Sequence, residues 1–367
     1  MWSIVMSSSP SVATASERTY NAIINASDSQ QFYLLGIEST QTLSNQRGNH
    51  VVRHRHPSLA PSLPNLNLQH LELMHHYVTN TSLTLQESGD TSRRWDVTVP
   101  SEALSHDFLM HALLGVSALH IVRLRGLSGS TSRYLRLAQV HHHHAFTLFR
   151  SKFTRITPEN CTAALDFSSL ALIFSSGVAL ISDGIPYHSE IDTYIALLKS
   201  FRGFWSLFVA VRSRIADGPM GRFPPLRMLR VDESMDEMAN AAAEAVRLLL
   251  DLNSACVESE SDKAVYHGAI LQIQGSLHRS SALPRMLWPV FISDAYVAHL
   301  QQKRPMALVI LAHSCVLAKY APYRWFLHDW IIRITIAIEK TIGPAWEQAM
   351  RWPLDEWGLT PQETEGS

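Results

Sequence analysis

From Leu66 onward, apolar residues recur every three to four positions, the spacing that places them on one face of an α-helix. Leu68, Leu71, Met74 and Tyr77 or Val78 give the first such face. The run from Val99 to His120, VPSEALSHDFLMHALLGVSALH, predicts a buried helix. Pro100 fits a first turn, whose N–H groups have no partner inside the helix anyway, and Ser101 and Glu102 suit the same turn. Two faces of this run are apolar: Leu104, Phe108, Ala112 and Gly115 on one, Leu109, Leu113, Val116 and Leu119 on the other. A helix apolar nearly all round must be covered on most sides. The small residues Gly115, Ser117 and Ala118 let a neighbouring helix come close.

The same periodicity continues along the chain. Tyr134, Leu137, Ala138, Ala145, Phe146 and Phe149 mark a further helix, and Asn160 to Ser182 another that is apolar all round. Ile191, Tyr194, Ile195 and Leu198 run into an aromatic group of Phe201, Phe204, Trp205 and Phe208. Asp217-Gly218-Pro219 and Phe223-Pro224-Pro225 break the chain. Asp232 to Cys256 is rich in Ala, Leu and Glu, the strong helix formers. Ala264–Leu277 and Pro284–Gln302 give two more helices. Pro305 opens PMALVILAHSCVLAKY, and Pro322 opens a last long helix through Trp325, Trp330, Ile331, Ile334 and Ile338. Gly343-Pro344 stops it, and a short helix to Met350 ends the fold. Alternating runs such as Trp95–Val99 are too short and too enclosed by helices to be strands, and no repeat of fixed period occurs. The expected fold is all-α, a single irregular multi-helix domain of roughly ten helices.

Composition adds boundaries. Residues 1–65 are dominated by Ser, Thr, Asn and Gln and end in a run with Pro57, Pro61 and Pro64; they read as a disordered tail or linker. The helical domain then spans 66–360, and 361–367 form a second tail. His50, Arg53, His54, Arg55 and His56 make a small basic cluster in the first tail, read as a solvated linker in preference to a localisation or phosphate-contact patch. The formal net charge is −1 over 367 residues, which excludes binding nucleic acid by bulk positive charge. The three cysteines, Cys161, Cys256 and Cys315, lie far apart and form neither a disulfide framework nor a CxxC pair, so a reduced intracellular compartment is expected. No secretory signal is read at Met1–Met6. The apolar stretch Leu165–Ser182 is interrupted by serines and contains Asp166, and reads as a core helix rather than a membrane span.

The candidate chemistry is sparse. His141 to His144 invite a metal, but neighbours on a helix point about 100° apart, so four in a row do not converge on one ion. The positions one turn from His141 are Leu137 and Ala145. His106, His111 and His120, and likewise His70, His75 and His76, lack the spacing of a helical metal pair and read as core or rim histidines. His328 and Asp329 are adjacent and do not face each other on a helix. Gly126-Leu127-Ser128-Gly129-Ser130 is a loop between helices rather than a nucleophile elbow, since its second glycine is one place early and no strand precedes it. Trp288, Trp325, Trp330, Trp346, Trp352 and Trp357 crowd the C-terminal third, where they either line a pocket for an apolar ligand or pack the core, the second reading being favoured. No catalytic residue, metal ligand or cofactor is assigned, and an enzyme is the least favoured class.

Several segments in order resemble one family. LELMHHYVTNTSLTL and SHDFLMHALLGVSALHI resemble two successive helices of the regulatory domain of fungal zinc-cluster transcription factors of the sterol uptake control type. Ala138, His141, Ala145, Phe146, Phe149 and Arg150 match that domain's next helix, and Asn160-Cys161 with Phe167, Ser168 and Leu170 the one after. KRPMALVILAHSCVLAKY, the Trp325–Ile338 segment and Trp352-Pro353-Leu354 match its C-terminal end, so the resemblance covers about residues 66–359. It implies a nuclear regulator, or one shuttling with the cytoplasm, that controls genes of a metabolic or secondary-metabolite pathway. It further implies homodimers or heterodimers with related regulators, and a sterol-like apolar ligand. Members of the family carry six cysteines that hold two zinc ions and place a helix in the DNA major groove. None of the three cysteines here belongs to such a set, so no zinc ligand and no DNA-contact residue carries over. The resemblance therefore points to action through protein contacts. Two alternatives stand beside it: a ligand-binding or heterodimerising sequestering protein without direct DNA binding, and a partial gene product whose zinc cluster is encoded upstream.

Overall fold

A computed structural model of the chain describes residues 66–86, 93–126, 128–129, 131–153, 157, 159–181, 187–215, 235–257, 259–277, 288–320 and 323–359. The basic cluster at His50–His56, the tails, and the breaks at Asp217–Pro219 and Phe223–Pro225 lie outside these residues. Among the described residues the chain is helical and holds no strand. In chain order the helices are α1 (Leu68–His76), which runs through a π turn at Tyr77–Thr81 into Ser82–Leu85, α2 (Val99–Ala103), α3 (Asp107–Arg125) and α4 (Ser132–Lys152). Then come α5 (Cys161–Ile181), α6 (Tyr187–Ile215), α7 (Met235–Cys256) and α8 (Glu260–Leu277). The last are α9 (Trp288–Phe291), α10 (Asp294–Gln301), α11 (Pro305–Val316), α12 (His328–Ile342) and α13 (Glu347–Glu356).

The run predicted as one helix from Val99 to His120 is two. A second π turn, Arg94–Thr98, leads into α2, whose N1/N2 proline is Pro100. The chain then breaks at His106, which is extended at φ −135° and ψ 100°, and restarts as α3. Leu104 falls in this break and is 77% exposed rather than part of the buried face. The remaining face residues are correct: Phe108, Leu109, Leu113, Val116 and Leu119 are all buried. Gly115 makes the close approach that its size predicts. A Cβ there would sit 3.4 Å from the Ala138 carbonyl oxygen and 3.5 Å from the His141 Cβ on α4.

The predicted face of α1 needs correction. Leu73 and Tyr77, one turn apart, are fully buried, whereas Leu68, Leu71 and Val78 are exposed. Pro284–Gln302 also divides, into α9 and α10, because the Ser293 side chain accepts from the Tyr296 N–H and starts a new helix. Trp325 lies in the turn before α12 rather than within it, and α13 runs past Met350 to Glu356 with Pro353 inside it. The residues Trp95–Val99 form the π turn and the first residue of α2.

Two apolar cores organise the packing. The first gathers α1–α4 on one side of α5, with Phe108, Phe149 and Phe167 at its centre: the Phe149 and Phe167 rings stack at 4.2 Å and the Phe108 ring meets Phe167 edge-on at 5.7 Å. The second is built from α6 to α13, with every residue of α11 from Met306 to Val316 buried. A small third cluster of Cys161, Leu165, Phe204, Leu207 and Phe208 joins α5 to α6. Among the described residues two helices, α3 and α5, are long and apolar enough to cross a membrane, and 72% and 67% of their most apolar 18-residue stretches are buried within the protein, as expected for core helices.

Two buried polar joints tie helices together within these cores. At one, Asp166 on α5, buried in an apolar helix, pairs with Arg94 at 2.5 Å. Burial pushes the Asp166 carboxyl up from its ordinary value, and Arg94 pulls it back. At the other, Arg333 on α12 donates to the Ala179 and Leu180 carbonyls at 3.3 and 3.2 Å and pairs with the buried Glu190. A cation on the last carbonyls of α5 opposes the negative end of its dipole. Glu190 also accepts from Trp330 Nε1 at 3.2 Å.

Candidate functional site

The seam where α1 docks on α3 and α4 gathers titratable side chains from all three helices. It is built from histidines that sequence spacing keeps apart. His141 on α4 faces α3 because it shares the buried stripe of Tyr134, Ala138 and Ala145. There its Nδ1 lies 2.9 Å from His111 Nδ1, so one ring donates and the other accepts. His70 of α1 closes the third side, its ring centroid 4.9 Å from His141 and 6.4 Å from His111. His144 lies 5.4 Å from His111. Burial, and then the neighbouring His111, His70 and His144, bring His141 down to about 4. His111 is lowered by burial first, with His144 and His70 adding to it and Asp107 opposing.

A second pair sits further along the same seam. His120 Nδ1 lies 3.0 Å from Thr81 Oγ1 on the π turn, its ring stacks on Trp325 at 5.0 Å, and His76 stands 5.3 Å away. Burial, His76 and Arg123 bring His120 down to about 4. Between the two groups, Ser117 Oγ donates to the Leu73 carbonyl at 2.6 Å.

The predicted run His141–His144 therefore divides by face. His141 joins the seam, and His142 is buried on the other side, stacked on Phe174 at 3.8 Å and brought down to about 3 by burial. His143 and His144 are exposed. Spacing within one helix could not reveal that His70, His111 and His141 come from three helices. The only trace in the sequence was their position on faces otherwise apolar.

The other candidates are dispersed. His106 contacts Glu102 at 3.3 Å, and His75 is exposed. His328 Nδ1 accepts from the Arg324 N–H at 2.9 Å, while Asp329 pairs with Arg123, so the two act separately, as adjacent helical residues should. Gly126, at φ 72°, ends α3, and Thr131 precedes α4, which fits the loop reading of this stretch. Cys161 and Cys315 are buried and Cys256 is exposed. Cys315 is pushed up to about 12 by burial and is a poor nucleophile. Among the described residues no three His, Cys, Asp or Glu side chains are placed to hold a metal ion.

The tryptophans spread over both cores. Trp288 and Trp330 are buried in the second, where Trp288 Nε1 donates to the Ala269 carbonyl at 3.2 Å, and Trp346, Trp352 and Trp357 pack at its edge. Trp325 belongs to the first core, and its Nε1 donates to Thr84 Oγ1 at 3.0 Å. The arrangement offers apolar contact and proton-sensitive hydrogen bonds.

Residues 72–198, from α1 into α6, match the model of the fungal specific transcription factor domain. A Zn(2)-C6 fungal-type transcription factor of Gibberella zeae is 24% identical over 77% of this chain and 61% of its own length. A second, of Aspergillus fumigatus, is 25% identical over 70% of this chain and 69% of its own length. Sterol uptake control protein 2 of Candida albicans is 34% identical over 30% of this chain and 15% of its own. The chain thus spans less than two thirds of the Gibberella relative. The Gibberella and Aspergillus relatives are transcription factors.

Proposed function

We propose that this chain is the regulatory part of a fungal transcriptional regulator and works in the nucleus through protein contacts. The observation that carries the reading is the family match over residues 72–198, which runs from within α1 through α3, α4 and α5 into α6 and holds His76, His111, His120 and His141. The all-α fold and the transcription-factor relatives favour a binding role over a catalytic one. Homodimerisation, or heterodimerisation with related regulators, is the contact this reading expects, and genes of a metabolic or secondary-metabolite pathway are its expected targets. Transcript profiling of strains that lack or overexpress the gene tests the reading. Coordinated change in a set of pathway genes supports it, and unchanged transcripts in both strains overturn it.

A second reading is sequestration of a relative without transcriptional output of its own. The three cysteines present are dispersed, so these residues contain no zinc-cluster DNA reader. Co-purification from fungal extract separates the two readings. A full-length zinc-cluster regulator recovered with the chain, together with target genes repressed by its overexpression, supports sequestration. Capture of an apolar ligand rests on the likeness to sterol uptake control proteins, and saturable binding of a radiolabelled sterol by the purified chain is its test.

A further inference from the structure

The two imidazole groups on the α1 seam share one geometry. Each joins α1, or the π turn that continues it, to α3: His70 meets His111, and His76 with Thr81 meets His120. His111 and His120 are nine residues apart on α3, about 13 Å along its axis. The rings thus grip both ends of the docked segment, and the fully buried Leu73 and Tyr77 lie between them.

We propose that α1 is a proton-operated latch, held down on α3 and α4 while His111, His120 and His141 are neutral and released when they take up protons, which uncovers Leu73, Tyr77 and the apolar face of α3 beneath them. A neutral ring both donates and accepts, so His111 on α3 and His141 on α4 hydrogen-bond each other; a second proton removes the acceptor and places positive charge against His70 of α1, whose ring lies 4.9 Å from that of His141.

The charges facing each ring are unfavourable to protonation. His141 meets His111, His70 and His144. His111 meets His144 and His70, opposed by Asp107, which is already held by Lys152 at 2.6 Å. His120 meets His76 and Arg123, and Arg123 itself pairs with Asp329. His76 meets Arg125 and His75, opposed by Glu72, which accepts from the Tyr134 hydroxyl at 2.5 Å. The two carboxylates that would welcome a proton on these rings are therefore occupied elsewhere.

Docked, His120 and His141 lie at about 4. Undocked in water they return toward the ordinary value of about 6.5. The undocked form binds more protons below that value, so acid favours release. At about pH 5.5 one such imidazole shifts the docking equilibrium about tenfold, and two acting independently about a hundredfold. This latch operates whether or not the chain regulates transcription.

Hydrogen exchange of the full chain at about pH 7.5 and about pH 5.5, corrected for intrinsic amide rates, tests it. The expected result is a loss of protection of at least about tenfold across residues 68–85 in acid, with the α8 amides still protected. The double variant His120→Gln/His141→Gln, which keeps hydrogen-bonding groups that do not titrate, should lose most of this response. Ring titration of His120 and His141 in the wild-type chain by NMR decides the matter if that variant does not fold. Unchanged protection of 68–85 between the two pH values overturns the proposal. So does a full acid response in the folded double variant, or ordinary titration of both rings in the native chain.

Discussion

The indole of Trp325 rests on Gly177. A Cβ at this position of α5 would lie 3.0 Å from Trp325 Cζ3 and 2.8 Å from Leu119 Cδ2. Trp325 comes from the turn before α12, yet it packs into the first core, stacks on His120 and donates to Thr84 Oγ1. The missing side chain at Gly177 is thus the space through which the C-terminal third grips the N-terminal helices.

Gly177→Ala should therefore destabilise the chain. Alanine gains about 1 kcal/mol in helix propensity, but a methyl forced against a rigid, buried indole costs about 1–3 kcal/mol. The expected net loss is about 1 kcal/mol in urea denaturation, and Gly177→Val should lose more. A stabilised Gly177→Ala variant would show that Trp325 moves away at no cost.

Acid should weaken the whole fold. His142 and His313 are fully buried and neutral, brought down by burial to about 3 and about 4. Their folded values lie below the ordinary 6.5, so the unfolded chain binds more protons once the pH falls below about 6.5. The stability they contribute is complete above that value and is lost progressively as the pH falls toward 4 for His313 and 3 for His142. Each should cost about 2 kcal/mol by about pH 5. His142→Phe keeps the stack on Phe174, and its stability measured by denaturation across this range should fall less steeply than that of the wild type.

Much of this was legible in the sequence, and the reasons for the misses are physical. The buried faces of α3, α4 and α12 followed from periodicity because those helices bury whole apolar stripes, as at Leu113, Phe146 and Ile334. The face of α1 was misread because the chain carries two stripes. The one with more apolar positions, Leu68, Leu71 and Val78, points outward, while the buried one alternates Leu73 and Tyr77 with histidines. Polarity hid a docking face. The break at His106 was missed because Pro100 and the apolar residues of α3 fit one continuous helix equally well. The histidine seam itself depends on tertiary approach, since His70, His111 and His141 share no helix.

Arg333 should prove costly to remove. It caps the Ala179 and Leu180 carbonyls and neutralises Glu190, whose other donor is Trp330 Nε1. Arg333→Met leaves a buried carboxylate with one hydrogen bond, and a loss of about 3–5 kcal/mol is expected. Adding Glu190→Gln removes the uncompensated charge and should recover part of that loss. If the double variant is no more stable than Arg333→Met in urea denaturation, the carbonyl cap rather than the ion pair is the larger contribution.

Arg94 and Asp166 make the sharper case, because both side chains are almost wholly buried. Moving two charges out of water costs several kcal/mol each, and their mutual attraction repays this only when both are present. Asp166→Asn preserves shape but removes the carboxylate charge that Arg94 meets at 2.5 Å, and should cost about 3–5 kcal/mol. Arg94→Met should cost a similar amount for the converse reason. The double replacement Arg94→Met/Asp166→Leu removes both desolvation costs together and should lie within about 1–2 kcal/mol of the wild type. A complete cycle by urea denaturation measures the coupling. Additive losses in the double variant would mean that the two residues act separately, and that Asp166 is carried in an apolar helix for a reason other than Arg94. Strong coupling would identify the pair as the device that holds the π turn at Arg94–Thr98 against α5, since Arg94 belongs to that turn and Asp166 to the core helix.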